Sequence, residues 1–237
     1  MKNTSTIPLT KSSEALSRAP LSQNTHQNFD ELYLKKDFKA AAQYLLDNKQ
    51  QMDSGIFHYN LGTVYSKMGD QATARFHLEK AIHEGYINTS SLNNLNYVKS
   101  QLQVDDLSTS IEIPDQFINV ATALPPSAYH SFTLVLCLIA VVLIRFQKIK
   151  KKWVMALAFS LALSPVSFSI FYVKNINYAI ALKDLPLYEG PSKIFNEKGQ
   201  VRAGSKIVLG KFKEGWFYVE FPLSLSGWIK KDQLGLY

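Results

Sequence analysis

The sequence has a single cysteine, Cys137, among its 237 residues. One cysteine cannot close a disulfide within the chain, and it lacks the partner ligands that a cysteine-based metal site needs. Cys137 also lies inside an apolar run, away from any base that could activate it as a nucleophile. The cysteine count therefore excludes a disulfide scaffold, and it does not decide the redox compartment.

Motifs of catalysis are missing as well. No serine lies in a nucleophile elbow, and the glycines of residues 199–206 (GQVRAGSK) do not have the spacing of a phosphate-binding loop. His77 and His83 are six residues apart on one predicted helix, whereas a helical zinc pair needs an i, i+4 spacing. His58 and His77 are expected to be packing or surface residues. We therefore expect no enzymatic activity, no cofactor and no metal.

A nucleic-acid-binding face is also missing, although the net charge is +7. Five basic residues are concentrated in one short segment, RFQKIKKKW at residues 145–153, and the remaining charge is spread over the rest of the chain. No basic stripe with interleaved aromatic residues is left to bind nucleic acid. The residues of this basic cluster are Arg145, Lys148, Lys150, Lys151 and Lys152.

Two long apolar runs flank the basic cluster, YHSFTLVLCLIAVVLIRF at residues 129–146 and WVMALAFSLALSPVSFSIFYV at residues 153–173. Neither run contains an acidic residue, and each approaches the ~20 residues that a helix needs to cross a bilayer. Aromatic residues near their ends suit the interface between membrane and water. The sequence therefore predicts a transmembrane helical hairpin with residues 147–152 as its loop.

A proline, Pro165, lies inside the second apolar run and should kink that helix. A proline in a membrane helix frees backbone groups that need new hydrogen-bond partners. The hydroxyl groups of Ser164, Ser167 or Ser169 are close enough in sequence to provide them.

The basic loop predicts the orientation of the hairpin, because basic residues in short loops stay on the cytoplasmic side. The opposite flank, residues 105–127, contains no lysine or arginine. We expect the basic cluster to set the topology, with a cytoplasmic loop and both soluble parts in the periplasm, at a bacterial inner membrane. Residues 1–23 lack the apolar core of a secretory signal, so the alternative of cytoplasmic soluble parts stays open.

Residues 28–102 have the pattern of a helical repeat, and residues 1–27 before them have the polar composition of a disordered segment. The segment 55–88 is 34 residues long, with Gly69 ending one predicted helix and Asp70 capping the next. This length and order resemble the tetratricopeptide repeat (TPR). Signature positions are occupied by Leu61, Gly62 and Tyr65 in the first helix, and by Ala74, Leu78 and Ala81 in the second.

The TPR resemblance implies a groove that binds a protein partner. The preceding residues resemble a repeat with a shortened first helix, and residues 89–102 resemble a terminal capping helix. Such arrays usually need about three units to bury a continuous core, so we expect this domain to lean on a partner or on a second copy. The residues predicted to line the groove are Ile56, Tyr59, Asn60, Thr63, Ser66 and Lys67.

Residues 103–128 link the repeat to the first apolar run. Within them, PDQFINVATALPP could form a short helix with Phe117, Ile118, Ala121 and Leu124 on one face. An apolar face beside a membrane suits an interfacial helix. An ordinary linker is the alternative.

Residues 176–237 change to short apolar runs separated by turns. The alternation of Phe217, Val219 and Phe221 is typical of a half-buried strand, and about five such strands fit a small all-β barrel. The segments PLYEGPS, VRAGSKIVLGKFKEGWFYVEF and SGWIKKDQL resemble the first loop, the core and the closing strand of a bacterial SH3 domain.

The SH3 resemblance implies a groove lined by aromatic residues. Trp228 is expected at a core strand position, whereas Trp216 follows a turn and is expected to be partly exposed. Aromatic grooves bind Pro-rich peptides in eukaryotic SH3 domains, so a peptide or a glycan is the expected ligand. The residues predicted to line this groove are Tyr188, Pro191, Trp216 and Tyr218.

The order of these parts resembles the BatE family of the bacterial aerotolerance (Bat) operon. The expected fold is a multidomain membrane protein with an all-α TPR-like repeat, a transmembrane helical hairpin and a small all-β SH3-like barrel. The resemblance implies membrane-bound von Willebrand factor A proteins as partners and, across the membrane, a MoxR-type AAA+ ATPase. We expect a non-enzymatic scaffold in an envelope stress or aerotolerance complex. The alternative is a cell-wall sensor or anchor whose barrel binds peptidoglycan or its peptides.

Overall fold

The structure is a computed structural model, and it describes residues 23–104, 106–146, 151–232 and 234–237. These residues form eight α-helices followed by an antiparallel sheet. They divide into two compact units, with the boundary between Gln101 and Leu102. The prediction of a helix-rich chain with β-structure near its C-terminus is confirmed.

Five helices belong to the first unit, and residues 23–27, which the composition assigns to a disordered N-terminus, are helical at its start. The rest of that predicted segment, residues 1–22, lies outside the described residues. The five helices are α1 (Gln23–Leu34), α2 (Phe38–Asp47), α3 (Ser54–Met68), α4 (Gln71–His83) and α5 (Thr89–Leu102).

Aspartates cap three of these helices. The side chains of Asp37, Asp53 and Asp70 accept hydrogen bonds from backbone N–H groups three residues on, at 3.1, 3.1 and 3.0 Å, which satisfies donors that a helix leaves unpaired. Gly69 ends α3 at a φ of 85°, a conformation that glycine adopts without strain. The predicted cap at Asp70 and the predicted end at Gly69 are both confirmed.

The helix pair α3–α4 approaches closely at Gly62. A Cβ atom at this position would lie 2.8 Å from Leu78 Cγ and 3.1 Å from the carbonyl oxygen of Ala74. Small residues therefore set the spacing of the two helices, and the apolar core beside them joins α1, α2 and α3. Its buried residues are Phe29, Ala41, Ala42, Leu45, Phe57, Leu61 and Val64.

The second unit contains an apolar helical hairpin, α7 (Pro126–Arg145) and α8 (Lys152–Phe171). The stretches Ser127–Arg145 and Lys152–Asn175 are long and apolar enough to cross a membrane. Most of their large apolar side chains are exposed, so the two helices touch along one narrow seam. Small or hydroxyl-bearing residues are buried along it, namely Thr133, Ala140, Ala162 and Ser169.

Pro165 interrupts the backbone hydrogen bonding of α8, and nearby hydroxyl groups replace the lost bonds. Pro165 has no N–H to donate to the carbonyl of Leu161. This carbonyl instead accepts a hydrogen bond from Ser164 Oγ at 2.8 Å. The N–H of Val166 donates across the hairpin to Thr133 Oγ1 at 3.1 Å. The predicted role of Ser164 is confirmed, and the contribution of Thr133 from the other helix is new.

Seven strands in the described residues form one antiparallel sheet, in the order β3-β2-β6-β5-β4-β1-β7. The sheet is not a closed barrel, and this corrects the predicted barrel. Four of the five residues of β3 are exposed, so this edge strand has little apolar surface to bury against the opposite edge, β7. The strands are β1 (Asn177–Ala181), β2 (Leu185–Tyr188), β3 (Glu197–Val201), β4 (Lys206–Lys213), β5 (Trp216–Phe221), β6 (Gly227–Lys230) and β7 (Leu234–Leu236).

Residues 106–123, here called the strap, pack against this sheet and contain α6 (Ile113–Ala123). Asp106 accepts a hydrogen bond from the N–H of Lys206 at 2.9 Å, and Asp115 accepts one from the N–H of Leu223 at 3.3 Å. The segment predicted as a linker or an interfacial helix is helical and contributes to the second unit. Its predicted single apolar face is wrong, because Ile118 and Ala121 are buried whereas Phe117 and Leu124 are exposed. The strap residues Leu107 and Ile118 are buried with Tyr178 and Val208 of the sheet.

Candidate functional site

The sheet has an inner apolar core that includes Leu187, Val219 and Ile229. Four aromatic side chains lie together on the opposite face of the sheet, and they are called the aromatic face. Strand register places Trp228 of β6 beside both Tyr188 of β2 and Tyr218 of β5. The ring of Tyr188 meets that of Trp216 edge-on at 5.4 Å, and the rings of Tyr218 and Trp228 meet edge-on at 5.5 Å. Such edge-to-face pairs are favourable arrangements for aromatic rings.

The structure reverses the expected exposure of the two tryptophans. Trp216 is only 8% exposed, whereas Trp228 is half-buried. Alternation along β6 explains the difference for Trp228, because its neighbour Ile229 fills the inner core and directs Trp228 to the other face. Trp216 is covered by the ring of Tyr188.

Three of the four residues predicted for the SH3 groove therefore meet, namely Tyr188, Trp216 and Tyr218. Trp228 lies beside them and not in the core position that was predicted for it. The fourth, Pro191, lies half-buried in the turn after β2. Lysines border the aromatic face, since Lys213 and Lys230 pair with Trp216 in the strand register. A half-buried aromatic surface with a basic border can stack on a proline-rich peptide or on a ring of a glycan.

The six residues predicted for the TPR groove are mostly covered within the first unit. Ile56, Tyr59 and Asn60 are buried. Asn94 of α5 lies over this surface, with its Nδ2 donating to Tyr59 Oη at 3.4 Å and to Thr63 Oγ1 at 3.3 Å. Burial raises the pKa of Tyr59.

The accessible part of the predicted groove lies at the end of α3. Ser66 is half-buried and exchanges hydrogen bonds with Gln71, and Lys67 is exposed. The groove stays a prediction, and its accessible part is Ser66 and Lys67 rather than all six residues.

A pair of histidines joins α3 to α4. The Nδ1 atoms of His58 and His77 are 2.8 Å apart, and their rings are stacked with centroids 5.1 Å apart. The ring of His77 also stacks on Tyr65 at 5.6 Å. Since one nitrogen must donate and the other accept, the two rings hold complementary tautomers when both are neutral.

Burial lowers the pKa of both members of this pair. It lowers the pKa of His58 to about 4 and that of His77 to about 3, and nearby positive charge on Lys80 acts in the same direction. His58 and His77 are predicted as packing or surface residues, but spacing along one helix does not predict that they meet, because they lie on different helices. The register of the helix pair, fixed by Gly62 against Leu78, is the signal that could have found this contact.

The basic cluster is described in part. Arg145 ends α7 and is exposed, and Lys151 and Lys152 are exposed at the start of α8. Lys148 and Lys150 lie outside the described residues. The described members are therefore placed at the loop end of the hairpin, where the topology prediction needs them.

In the described part of the chain, no group of three or more His, Cys, Asp or Glu side chains could hold a metal ion. The fold defines the class of the protein only broadly, as a helical unit and an antiparallel sheet with two helices that could cross a membrane. Comparisons with protein-family models, curated proteins and solved structures give no match.

Proposed function

We propose that this chain is a non-enzymatic, membrane-anchored scaffold of a bacterial inner membrane. The observation that carries the proposal is the hairpin, which exposes large apolar side chains such as Phe132, Leu138, Leu157 and Ile170 along its length. In water a surface of this size would associate, whereas a lipid bilayer covers it without further partners. The hairpin then anchors the helical unit that precedes it and the sheet that follows it.

The seam of the hairpin supports insertion in lipid. Helices in a membrane associate through close packing of small residues and through hydrogen bonds between helices. The buried positions Ala140 and Ala162 supply the first, and the bond from Val166 to Thr133 supplies the second.

The helical unit would act as a TPR-like docking module. Its helix pair has the repeat length and the close glycine contact of Gly62, and the BatE resemblance suggests von Willebrand factor A proteins as partners. A MoxR-type AAA+ ATPase would then act across the membrane. In this scheme the basic cluster holds the loop in the cytoplasm, and the helical unit and the sheet face the periplasm.

The scaffold proposal is tested by purifying the full chain from native membranes in mild detergent and identifying its partners by mass spectrometry. Recovery of von Willebrand factor A proteins with a AAA+ ATPase is the expected result. The variant Lys67→Glu reverses the charge of the accessible groove residue, and it should lose those partners while Lys39→Glu, an exposed control on α2, keeps them. Partners retained by both variants would remove the groove from the proposal.

A second candidate function is binding of peptidoglycan or its peptides, and the aromatic face favours it. Three half-buried aromatic side chains, Tyr188, Tyr218 and Trp228, lie over the buried Trp216 and form a surface for stacking on sugar rings or proline. The full chain in detergent is incubated with purified peptidoglycan. We expect the natural chain to be retained and Trp228→Ala to abolish that retention. The control Phe212→Ala, which changes an exposed aromatic residue outside the aromatic face, should preserve it. No retention of the natural chain would exclude this function.

A further inference from the structure

We propose that α6 is an interfacial helix that holds the sheet against the membrane, with an apolar stripe at the boundary between acyl chains and headgroups. The stripe consists of Ile113, Phe117, Val120 and Leu124, together with Ile111 just before the helix. This inference rests on the proposed insertion of the hairpin, because both concern the same bilayer.

The two sides of α6 have different surroundings. Residues 113, 117, 120 and 124 are spaced by four, three and four positions, which places them on one side of a helix. Ile113 is 81% exposed, Val120 60% and Phe117 53%. The opposite side carries Asp115 and Ile118, which are buried against the sheet. The helix therefore has one apolar side that the sheet covers and one that it leaves open.

The open side continues into the lipid-facing surface of the hairpin. The ring of Phe117 lies 5.7 Å from that of Phe168 in α8 and 6.4 Å from that of Tyr172. On the first span, Tyr129 donates a hydrogen bond to the carbonyl of Ala121 at 3.1 Å. The stripe thus begins where the two spans reach the membrane surface, which is the depth that an interfacial helix occupies.

An apolar crevice joins the stripe to the hairpin. It has a volume of about 670 Å³, and Leu124 of the stripe lines it together with Phe132 and Pro165 of the spans. Because the crevice is lined almost entirely by carbon, it suits a lipid acyl chain. The continuity of stripe, crevice and spans favours lipid over a protein as the occupant of the open side.

The charge of the strap predicts how it binds. Residues 105–127 contain no lysine or arginine, Asp115 is buried, and Glu112 is exposed. The strap itself therefore offers anionic lipids no basic partner, in contrast to basic amphipathic helices. Insertion should depend on apolar area alone, in neutral and anionic bilayers alike.

The test measures the depth of single nitroxide labels on the full chain in nanodiscs, with Cys137→Ser as background. Labels are placed at the stripe positions 113 and 120, at Asn119 on the polar flank of α6, and at the lipid-facing Leu138 of the first span. Each label is probed with oxygen, which concentrates in lipid, and with a nickel complex, which stays in water. The discs contain phosphatidylcholine alone, or phosphatidylcholine with phosphatidylglycerol.

The ratio of oxygen accessibility to nickel accessibility should be several-fold higher for the labels at 113 and 120 than for the label at 119. This difference should be the same in both lipid compositions. The variant Val120→Glu should raise nickel access at 113, whereas the neighbouring Asn119→Glu should not. If the labels at 113 and 120 are as accessible to nickel as the label at 119, α6 does not lie in the interface and the inference is overturned. The hairpin is still inserted in that case if the label at 138 remains in lipid. Protection of 113 from both reagents would show a protein contact instead, and nickel access at 138 would overturn the inserted hairpin as well.

Discussion

At the scale of single residues, the pair of His58 and His77 makes the first unit sensitive to acid. Burial holds their pKa values at about 4 and about 3 in the folded chain, below the ordinary 6.5. Below pH 6.5 the unfolded chain binds protons that the folded chain does not. The contribution of this pair to the free energy of unfolding is therefore fully present above pH 6.5. It is lost as the pH falls toward 4, by up to about 1.4 kcal/mol per pH unit for each histidine.

Hydrogen exchange of the α3 and α4 amides measures this loss in the full chain, after correction for the intrinsic effect of pH. Protection should fall as the pH is lowered from about 6.5 toward about 4. The double variant His58→Gln/His77→Gln cannot titrate and should keep its protection, while His83→Gln leaves the pair intact and should behave as the natural chain. An equally steep loss in the double variant would show that other groups cause it.

Gly62 is a second residue where one atom decides the packing. The change Gly62→Val places a branched side chain where even a Cβ atom would lie 2.8 Å from Leu78 Cγ. We expect a loss of about 1–3 kcal/mol in the stability of the helix pair, the range for overpacking. Exchange of α4 amides measures it, and Lys67→Val, exposed on the same helix, controls for the helix propensity of valine. Equal effects of both variants would contradict a packing role.

At the scale of elements, the bond from Val166 to Thr133 should stabilise the hairpin. Thr133→Val keeps the shape of the side chain but removes the acceptor, so the N–H of Val166 loses its partner in an apolar region. We expect a loss of roughly 1 kcal/mol, seen as faster exchange of the Val166 amide in nanodiscs. Thr133→Ser keeps the hydroxyl group and should exchange as slowly as the natural chain; fast exchange in both variants would point to packing instead.

The strap depends on a buried carboxylate. Asp115 accepts from the N–H of Leu223 and from Ser110 Oγ, at 3.3 and 2.5 Å. Asp115→Ala leaves both donors unsatisfied and should weaken docking of the strap by about 1–3 kcal/mol. The Leu223 amide should exchange faster in this variant, and Glu112→Ala, an exposed acid three residues earlier, should not change it. Unchanged exchange in Asp115→Ala would show that apolar contacts alone hold the strap.

Local signals predicted the elements well, because caps, apolar runs and turns act within a few residues. The cap at Asp70, the end at Gly69 and the replacement bond of Ser164 all belong to this group. The errors concern contacts between distant segments. Asn94 covers Tyr59 from another helix, and Tyr188 covers Trp216 from another strand. Neither contact follows from the residues next to Tyr59 or Trp216.

The open sheet has the same explanation at a larger distance. The number and alternation of strands predicted β-structure, but closure requires the two edge strands to pair through their backbone hydrogen bonds. β3 and β7 instead lie at opposite edges of the sheet, with four of the five residues of β3 exposed. The strap brings its own apolar residues to the sheet from Leu107 and Ile118. A segment outside the predicted domain thus supplies core that the strands alone lack.

At the scale of the whole molecule, the proposed insertion of both spans places the chain before and after the hairpin on the same side of the membrane. If the basic cluster fixes that side, a reporter fused after Tyr237 should be active only outside the cytoplasm. Replacing the cluster by glutamine, and placing lysines at Glu112 and Gln116 in the flank that has none, should invert the reporter's location. A matched control removes as much positive charge from exposed lysines of the sheet and its loops. These are Lys193, Lys211, Lys213, Lys230 and Lys231.

The control should keep the natural orientation, because the positive-inside rule depends on charge beside the spans and not on net charge. Inversion in the control would mean that total charge sets the topology. If the reporter fused to the natural chain is active in the cytoplasm, the proposed orientation is reversed. The aromatic face then lies in a compartment without peptidoglycan. That single result would remove cell-wall binding as a function while leaving the interfacial position of α6 unchanged, since its lipid contacts do not depend on which leaflet it meets.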